Sequence, residues 1–249
     1  SFNDKGGDAV VTAVLPGVLS ASPALANFSF IAQASAITDA GASQLGQLLQ
    51  AHLGHSTSAL SVDISRNDKD EVKDQKHPLT ADGVGALAKS VGQLPALKQL
   101  ALLVGYDVQI TSKGIGRIAT GLLPLQDTLE SLRLDFGYVA IQTPAKEKAA
   151  PLACMAKTLG NFKSLRTLDL NLDSDVDDPD EVRAMGLHLA CLPIAKMQFP
   201  RFNSDADCHC GLLLDEKRSC LVPNQYYSDQ LGHDCFQCQS QANATSCED

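Results

Sequence analysis

The chain has 249 residues, of which 44% are hydrophobic and 20% charged, and its formal net charge is −9. This acidity argues against binding to nucleic acid or anionic lipid, because both rely on clustered Lys and Arg. The apolar fraction is that of a folded protein, and the longest apolar runs fall far below the roughly 18 residues of a membrane span.

A short alternating apolar pattern recurs along most of the chain. Its three clearest copies have the form L-x-x-L-x-L, and the copies begin at Leu25, Ala59, Leu97, Leu129, Leu165 and Ile194. Alternation of this kind is typical of a strand with one buried face. The pattern therefore predicts six strands.

A second element recurs between these strands. Thr38, Thr80 and Thr111 each precede a glycine by three residues, and apolar residues at helical spacing follow. A threonine hydroxyl at a helix start can accept a hydrogen bond from a free helix amide. Each threonine is thus predicted to be an N-cap, and residues 3–15 resemble the helical half of one further copy.

These motifs in phase resemble the leucine-rich-repeat family in its long-repeat, ribonuclease-inhibitor-like form, over about residues 3–202. The resemblance implies an α/β solenoid of about six strand–helix units, with a parallel sheet on the concave face and helices on the convex face. It also implies a non-enzymatic protein that binds a partner through this surface. An ordinary α/β domain is the alternative.

The residues between the buried positions of each strand are expected to point outward. Because parallel neighbours lie about 4.8 Å apart, Arg133 and Asp169 can form an ion pair in one row of the sheet. Arg133 could also contact a partner, since Arg is common at binding hot spots. The candidate partner-binding residues are Ser61, Asp63, Gln99, Ser131, Arg133, Thr167, Asp169, Lys196 and Gln198.

The apolar periodicity fades near residue 203, which divides the chain into a body of residues 1–202 and a tail of residues 203–249. Six of the eight cysteines lie in the last 42 residues: Cys208, Cys210, Cys220, Cys235, Cys238 and Cys247. A small segment without its own core is often held by disulfides, so the tail is predicted to be a disulfide module. Cys154 and Cys191 are predicted to be core residues that could also pair.

The stretch Cys220-Leu-Val-Pro-Asn-Gln-Tyr-Tyr-Ser, followed by Gly232 and the pair Cys235 and Cys238, resembles the short repeats of ephrin-receptor-like ectodomains. A Cys-bearing C-terminal cap of extracellular leucine-rich repeats is another interpretation of Cys208 and Cys210. Zinc is the alternative to disulfides, with His209 and His233 as further ligands.

Two glycosylation triplets begin at Asn27 and Asn243, and they fit a secretory route. With the clustered cysteines they predict a secreted glycoprotein in an extracellular or luminal location. The segment holds no span and starts at Ser1 without a leader, so we expect any signal peptide or anchor to lie outside it. Membrane association would come only through a partner or such a segment.

Other chemistry is scarce. The acidic stretch Asp173–Glu181 departs from the EF-hand pattern, since Asp178 and Ala184 stand where that loop needs Gly and Glu. It is predicted to be a solvated loop that caps a helix, with calcium binding as the alternative. No catalytic or phosphate-loop motif appears, so neither an enzyme nor a cofactor is predicted.

The preferred hypothesis is a protein-binding scaffold. One alternative is a structural subunit built permanently into a large, membrane-associated assembly, which would contact neighbouring subunits. A second is an intracellular regulator resembling the ribonuclease inhibitor, which would require reduced cysteines.

Overall fold

The computed structural model describes residues 6–22, 24–32, 37–65, 79–105, 112–136 and 155–171, together with strands at 196–198, 213–214 and 221–222. The helices are α1 (Gly6–Ala9), a π-helical turn (Val10–Val14), α2 (Leu15–Ser20), α3 (Asp39–Leu53), α4 (Ala81–Val91), α5 (Ser112–Leu122) and a 3-10 turn (Leu123–Leu125). Residues 155–159 are also helical. The strands are β1 (Asn27–Ile31), β2 (Ala59–Asp63), β3 (Gln99–Leu103), β4 (Ser131–Asp135), β5 (Thr167–Asn171), β6 (Lys196–Gln198), β7 (Leu213–Leu214) and β8 (Leu221–Val222).

Six parallel strands form one sheet in the order β1-β2-β3-β4-β5-β6, which is their order along the chain. All six strands predicted from the alternating pattern are present, and the α/β class is confirmed. The pairing has no shift in register, since the first residues of β1 to β5 align directly across the sheet. Equivalent positions of successive strands therefore form straight rows across the sheet.

The core lies between this sheet and the helices. Leu60, Leu100, Leu132 and Leu168 form one buried row on the helix side of the sheet, and Val62, Leu102, Leu134 and Leu170 form the next. Burying a side chain of this size contributes about 1.5–3 kcal/mol. The alternation that defines the strands in the sequence thus also defines which face of the sheet is covered.

The entry of β2, β3, β4 and β5 into the sheet is fixed in each case by one carbonyl group, that of the residue just before the preceding strand. The carbonyl oxygen of Ala26 accepts hydrogen bonds from the amides of both Ser58 and Ala59, at 2.8 and 3.1 Å. The carbonyls of Ser58, Lys98 and Glu130 each accept two successive amides of the following strand in the same way. A carbonyl has two lone pairs, so both amides are satisfied.

The helix starts are built by threonines, as predicted. Thr38 precedes α3 and accepts a hydrogen bond from the amide of Gly41, while Thr80 precedes α4 and accepts one from the amide of Asp82. Thr111 lies outside the described residues. Each of these two threonines is also bound by a carboxylate of the preceding helical segment, Asp8 for Thr38 and Asp39 for Thr80.

Neighbouring helices approach closely at small residues. A Cβ atom added to Gly46 of α3 would lie 2.9 Å from the Cβ of Ser90 in α4. One added to Gly92, after α4, would collide with the backbone carbonyl of Gly121 in α5. Larger residues at these positions would push adjacent helices apart.

Candidate functional site: the open face of the sheet

The side of the sheet opposite the helices carries three rows of side chains, which we call the open face. The first row is Asn27, Ala59, Gln99, Ser131 and Thr167, and the second is Ser29, Ser61, Ala101, Arg133 and Asp169. The third is Ile31, Asp63, Leu103 and Asp135. Apart from Asp63, these side chains are exposed or half-buried.

The open face includes a shallow depression of about 400 Å³, which spans the first four strands. Its polar lining comes mainly from serine, asparagine and glutamine side chains, with Ala59 and Ala101 between them. Arg133 forms one side of the depression. Short side chains in the middle and a long cationic one at the border leave room for a protruding group of another molecule.

Arg133 is held in place by two carboxylates. Its Nη2 lies 3.1 Å from Oδ2 of Asp135 on the same strand, and its Nε lies 3.5 Å from Oδ2 of Asp169 on β5. The predicted pairing of Arg133 with Asp169 is thus confirmed. The Arg133 side chain remains 50% exposed, so both ion pairs are partly solvated and contribute at most about 1 kcal/mol each.

Asp63 was predicted to point outward and contact a partner, but it is buried, with 7% of its surface exposed. Its Oδ1 accepts hydrogen bonds from the amide and the hydroxyl of Ser65. A carboxylate that ties the turn after β2 in this way has a structural role, because burial of a charge requires such partners.

The open face contains five more predicted residues: Ser61, Gln99, Ser131, Thr167 and Asp169. The backbones of Lys196 and Gln198 extend the first two rows onto β6, opposite Thr167 and Asp169. Whether these residues bind a partner stays a prediction.

Sequence reasoning missed most of the third row. In the first, third, fourth and fifth copies the predicted strand stops one residue short of the observed end, so Ile31, Leu103 and Asp135 were not assigned to the face. Continuing the alternation by one residue would have found them. Asp135 is the important omission, since it shares Arg133 with Asp169.

Several sequence predictions concern residues outside the described part of the chain. They are the six clustered cysteines with His209 and His233, the pair Cys154 and Cys191, the acidic stretch at 173–181, and Asn243. Asn27, the other glycosylation candidate, is exposed on β1. The described residues include no group of three or more His, Cys, Asp or Glu that could hold a metal ion. No helix among them is long and apolar enough to cross a membrane.

Comparison with known proteins finds no matching family model and no matching curated protein. Two solved structures are among those that resemble the chain. One, described as leiomodin-1 actin-binding site 2, shares 17% identity with a TM-score of 0.47, covering 71% of this chain and 86% of that one. The other, a Caenorhabditis elegans tropomodulin C-terminal domain, shares 11% identity with a TM-score of 0.42, covering 73% and 92%.

These comparisons correct the resemblance drawn from the motifs. No family model matches, and the two solved structures named above are leiomodin and tropomodulin domains; the resemblance to ribonuclease-inhibitor-like leucine-rich repeats with an ephrin-receptor-like module is wrong. The short motifs describe a strand–helix alternation, which does not identify a family.

The predicted class of secreted, disulfide-bonded glycoprotein in an extracellular or luminal location is wrong as well. The glycosylation triplets and clustered cysteines suggested it, but the two solved structures are described as an actin-binding site and a tropomodulin domain, and neither description names a secreted or disulfide-bonded protein.

Proposed function

We propose that the chain is a non-enzymatic scaffold that holds a protein partner against the open face of its sheet. The observation that carries this proposal is the face itself: rows of short polar side chains on parallel strands in register, uncovered by the described helices. A broad surface on a rigid frame suits contact with another protein.

The shape of the face supports a protein partner over a small molecule. Pockets for small ligands are usually concave and enclose most of the ligand, whereas this depression is shallow and open. Here serine and alanine side chains form the floor, and Arg133 stands at the border with Asp135 and Asp169 beside it. Such a surface can accept a protruding side chain while its neighbours contact the surrounding backbone.

Arg133 is the residue that we expect to matter most. Its Nε and Nη2 point to Asp169 and Asp135, and the half-exposed guanidinium retains further donors for a partner. The two carboxylates fix the orientation of the group before a partner arrives, which lowers the entropy lost on binding.

We also propose that the strand–helix units stack along one axis as a solenoid through residues 1–202, and that residues 203–249 form a separate unit. The solenoid is supported by the strand order, which follows the chain, and by the helices, since α3 packs on α4 and α4 packs on α5.

The test uses three purified forms of the chain, each immobilised to capture protein partners. They are the wild type, Ala101→Arg on the open face, and Gln47→Arg on the exposed side of α3. Proteins retained by the wild type are purified and their affinities measured by calorimetry. Actin, which the leiomodin fragment is described as binding, is tested alongside them. We expect Ala101→Arg to weaken binding at least tenfold and Gln47→Arg to leave it unchanged. Equal binding by all three forms would refute the open face as the site.

A further inference from the structure

One end of the sheet carries almost no charge. Residues 9–32, which include α2 and β1, contain no Asp, Glu, Lys, Arg or His. Asp8 comes just before them, and its carboxylate is engaged by Thr38. Edge strands of monomeric proteins are usually protected by charged residues, which prevent pairing with another chain. Residues 9–32, at this end, lack such protection.

β1 is an edge strand, and among the described residues no strand pairs with it on its outer side. The carbonyl of Ala26 and the amide of Ala32 both bond to the chain of β2. Because the amide groups of a strand alternate in direction, those of Asn27, Ser29 and Ile31 point away from β2. They form a row of donors and acceptors along the free edge.

The apolar residues of this end are less buried than their counterparts in the interior. Leu97, just before β3, and Leu100, within it, are buried, whereas the residues at the same positions of the first copy, Leu25 and Phe28, are only partly buried. On the open face, Ile31 is 67% exposed. The interior residues have a neighbouring strand on each side, whereas those of β1 have one on a single side among the described residues.

The helix layer shows the same incomplete coverage. Where helices pack, Ser90 of α4 approaches Gly46 of α3, and a Cβ on Gly121 of α5 would lie 2.8 Å from the backbone of Lys89 in α4. Ser90 and Gly121 therefore face the preceding helix. Each comes just before the last buried apolar residue of its own helix, which is Val91 in α4 and Leu122 in α5. Val18 holds this position in α2, and it therefore faces the side where a preceding helix would lie.

Val14 lies one turn before Val18, and the two side chains are 54% and 50% exposed. At the position of Val18, α4 and α5 carry a serine and a glycine. The end therefore presents a branched apolar side chain where the interior needs a small one. Such a surface favours contact with an apolar neighbour, since exposed apolar patches mark interaction sites.

We propose that the free edge of β1 takes up an extended segment of a partner protein as an additional parallel strand. The repeat itself defines the chemistry of this segment, because every interior strand that joins the sheet brings an apolar-x-apolar sequence whose apolar residues turn to the helix side. Its positions on the helix side carry no charge, to match the uncharged end. Main-chain hydrogen bonds provide affinity, and the apolar residues provide specificity.

The parallel direction follows from the strand entries. In each interior strand two successive amides, such as those of Ser58 and Ala59, donate to one carbonyl of the preceding strand. The equivalent amides of Ala26 and Asn27 have no preceding strand among the described residues. A parallel segment supplies a carbonyl at that place and completes the same double acceptor.

The test uses a synthetic peptide with the sequence of residues 126–137, which contains the interior strand β4, and the isotope-labelled chain observed by NMR. We expect saturable shifts of the amides at 26–31. A nitroxide on the peptide N-terminus is expected to broaden Asn27 more than Ile31. A control peptide with Leu132 and Arg133 exchanged loses the alternation and is expected to bind at least tenfold more weakly.

Two variants of the chain sharpen the test. Ser29→Pro removes one outward amide of the edge, where proline is tolerated, and Val18→Lys adds a charge to the apolar surface. Both are expected to reduce binding at least fivefold, while Gln47→Lys on α3 leaves it unchanged, with folding checked by circular dichroism. Absence of shifts, equal binding of the control peptide, or stronger broadening at Ile31 would overturn the proposal. Self-association that Val18→Lys abolishes would also overturn it, by assigning the end to a second copy of the chain.

Discussion

Asp39 in the first turn of α3 binds Thr80, the N-cap of α4, through both of its carboxylate oxygens. Oδ1 accepts the Thr80 amide at 2.7 Å and Oδ2 accepts the Thr80 hydroxyl at 2.8 Å. Oδ1 also accepts the amide of Gly83 at 3.1 Å. One carboxylate therefore couples two helices, and it satisfies amides that the first turn of a helix leaves free.

Replacing Asp39 with alanine is expected to destabilise the protein by about 1–3 kcal/mol, because partly buried donors of Thr80 and Gly83 lose their acceptor. Urea unfolding followed by circular dichroism measures this change. The matched control is Asp82→Ala on α4, whose ion pair with Arg117 is exposed. That change is expected to cost less than about 1 kcal/mol. Equal losses in both variants would contradict a special role for Asp39.

Gly83 and Gly85 lie in the same helix and are expected to respond oppositely to alanine. A Cβ on Gly83 would lie 2.7 Å from Cα of Asp39 and 2.9 Å from Cδ1 of Leu79, whereas one on Gly85 has only Arg117 Cβ nearby, at 3.6 Å. Alanine favours a helix over glycine by about 1 kcal/mol. We therefore expect Gly85→Ala to raise the melting temperature and Gly83→Ala to lower it. A higher melting temperature for Gly83→Ala would disprove the close approach.

The fold was largely predictable from the sequence, because alternating leucines specify which face of each strand is buried. The threonines of the helix starts were predictable for a similar reason, since capping depends on neighbouring residues alone. The partners Asp8 and Asp39 were not, because each acts on the following helix, 30 and 41 residues further along the chain. A contact between units leaves no local pattern in one sequence.

The open face was predicted less completely than the core. The outward direction of Ser61, Gln99 and Arg133 follows from the two-residue period of a strand. The burial of Asp63 depends on the turn after β2, where Ser65 folds back onto it. Period alone gives the direction of a side chain, but it does not show what the adjacent turn will cover.

Leu132 lies at the centre of the sheet and is fully buried. Its replacement by alanine leaves a cavity and is expected to destabilise the protein by about 2–5 kcal/mol. Ile31→Ala removes a side chain of similar size from the exposed edge and is expected to cost less than about 0.5 kcal/mol. Guanidinium unfolding distinguishes the two changes. A small effect of Leu132→Ala would contradict the assignment of the core.

Arg133→Gln separates binding from stability. Because both ion pairs of Arg133 are partly exposed, the substitution is expected to change the free energy of unfolding by less than about 1 kcal/mol. The same variant is expected to lose most affinity for a partner bound at the open face, as measured by calorimetry. Unfolding of the variant under native conditions would show instead that Arg133 is required for the structure.

The double acceptors at Ala26, Ser58, Lys98 and Glu130 fix each strand just as it enters the sheet. The strands begin at residues 27, 59, 99, 131, 167 and 196, so successive starts are separated by unequal lengths of chain. The sheet nevertheless keeps one register throughout. The length of chain between two strands can therefore change without displacing either strand in the sheet.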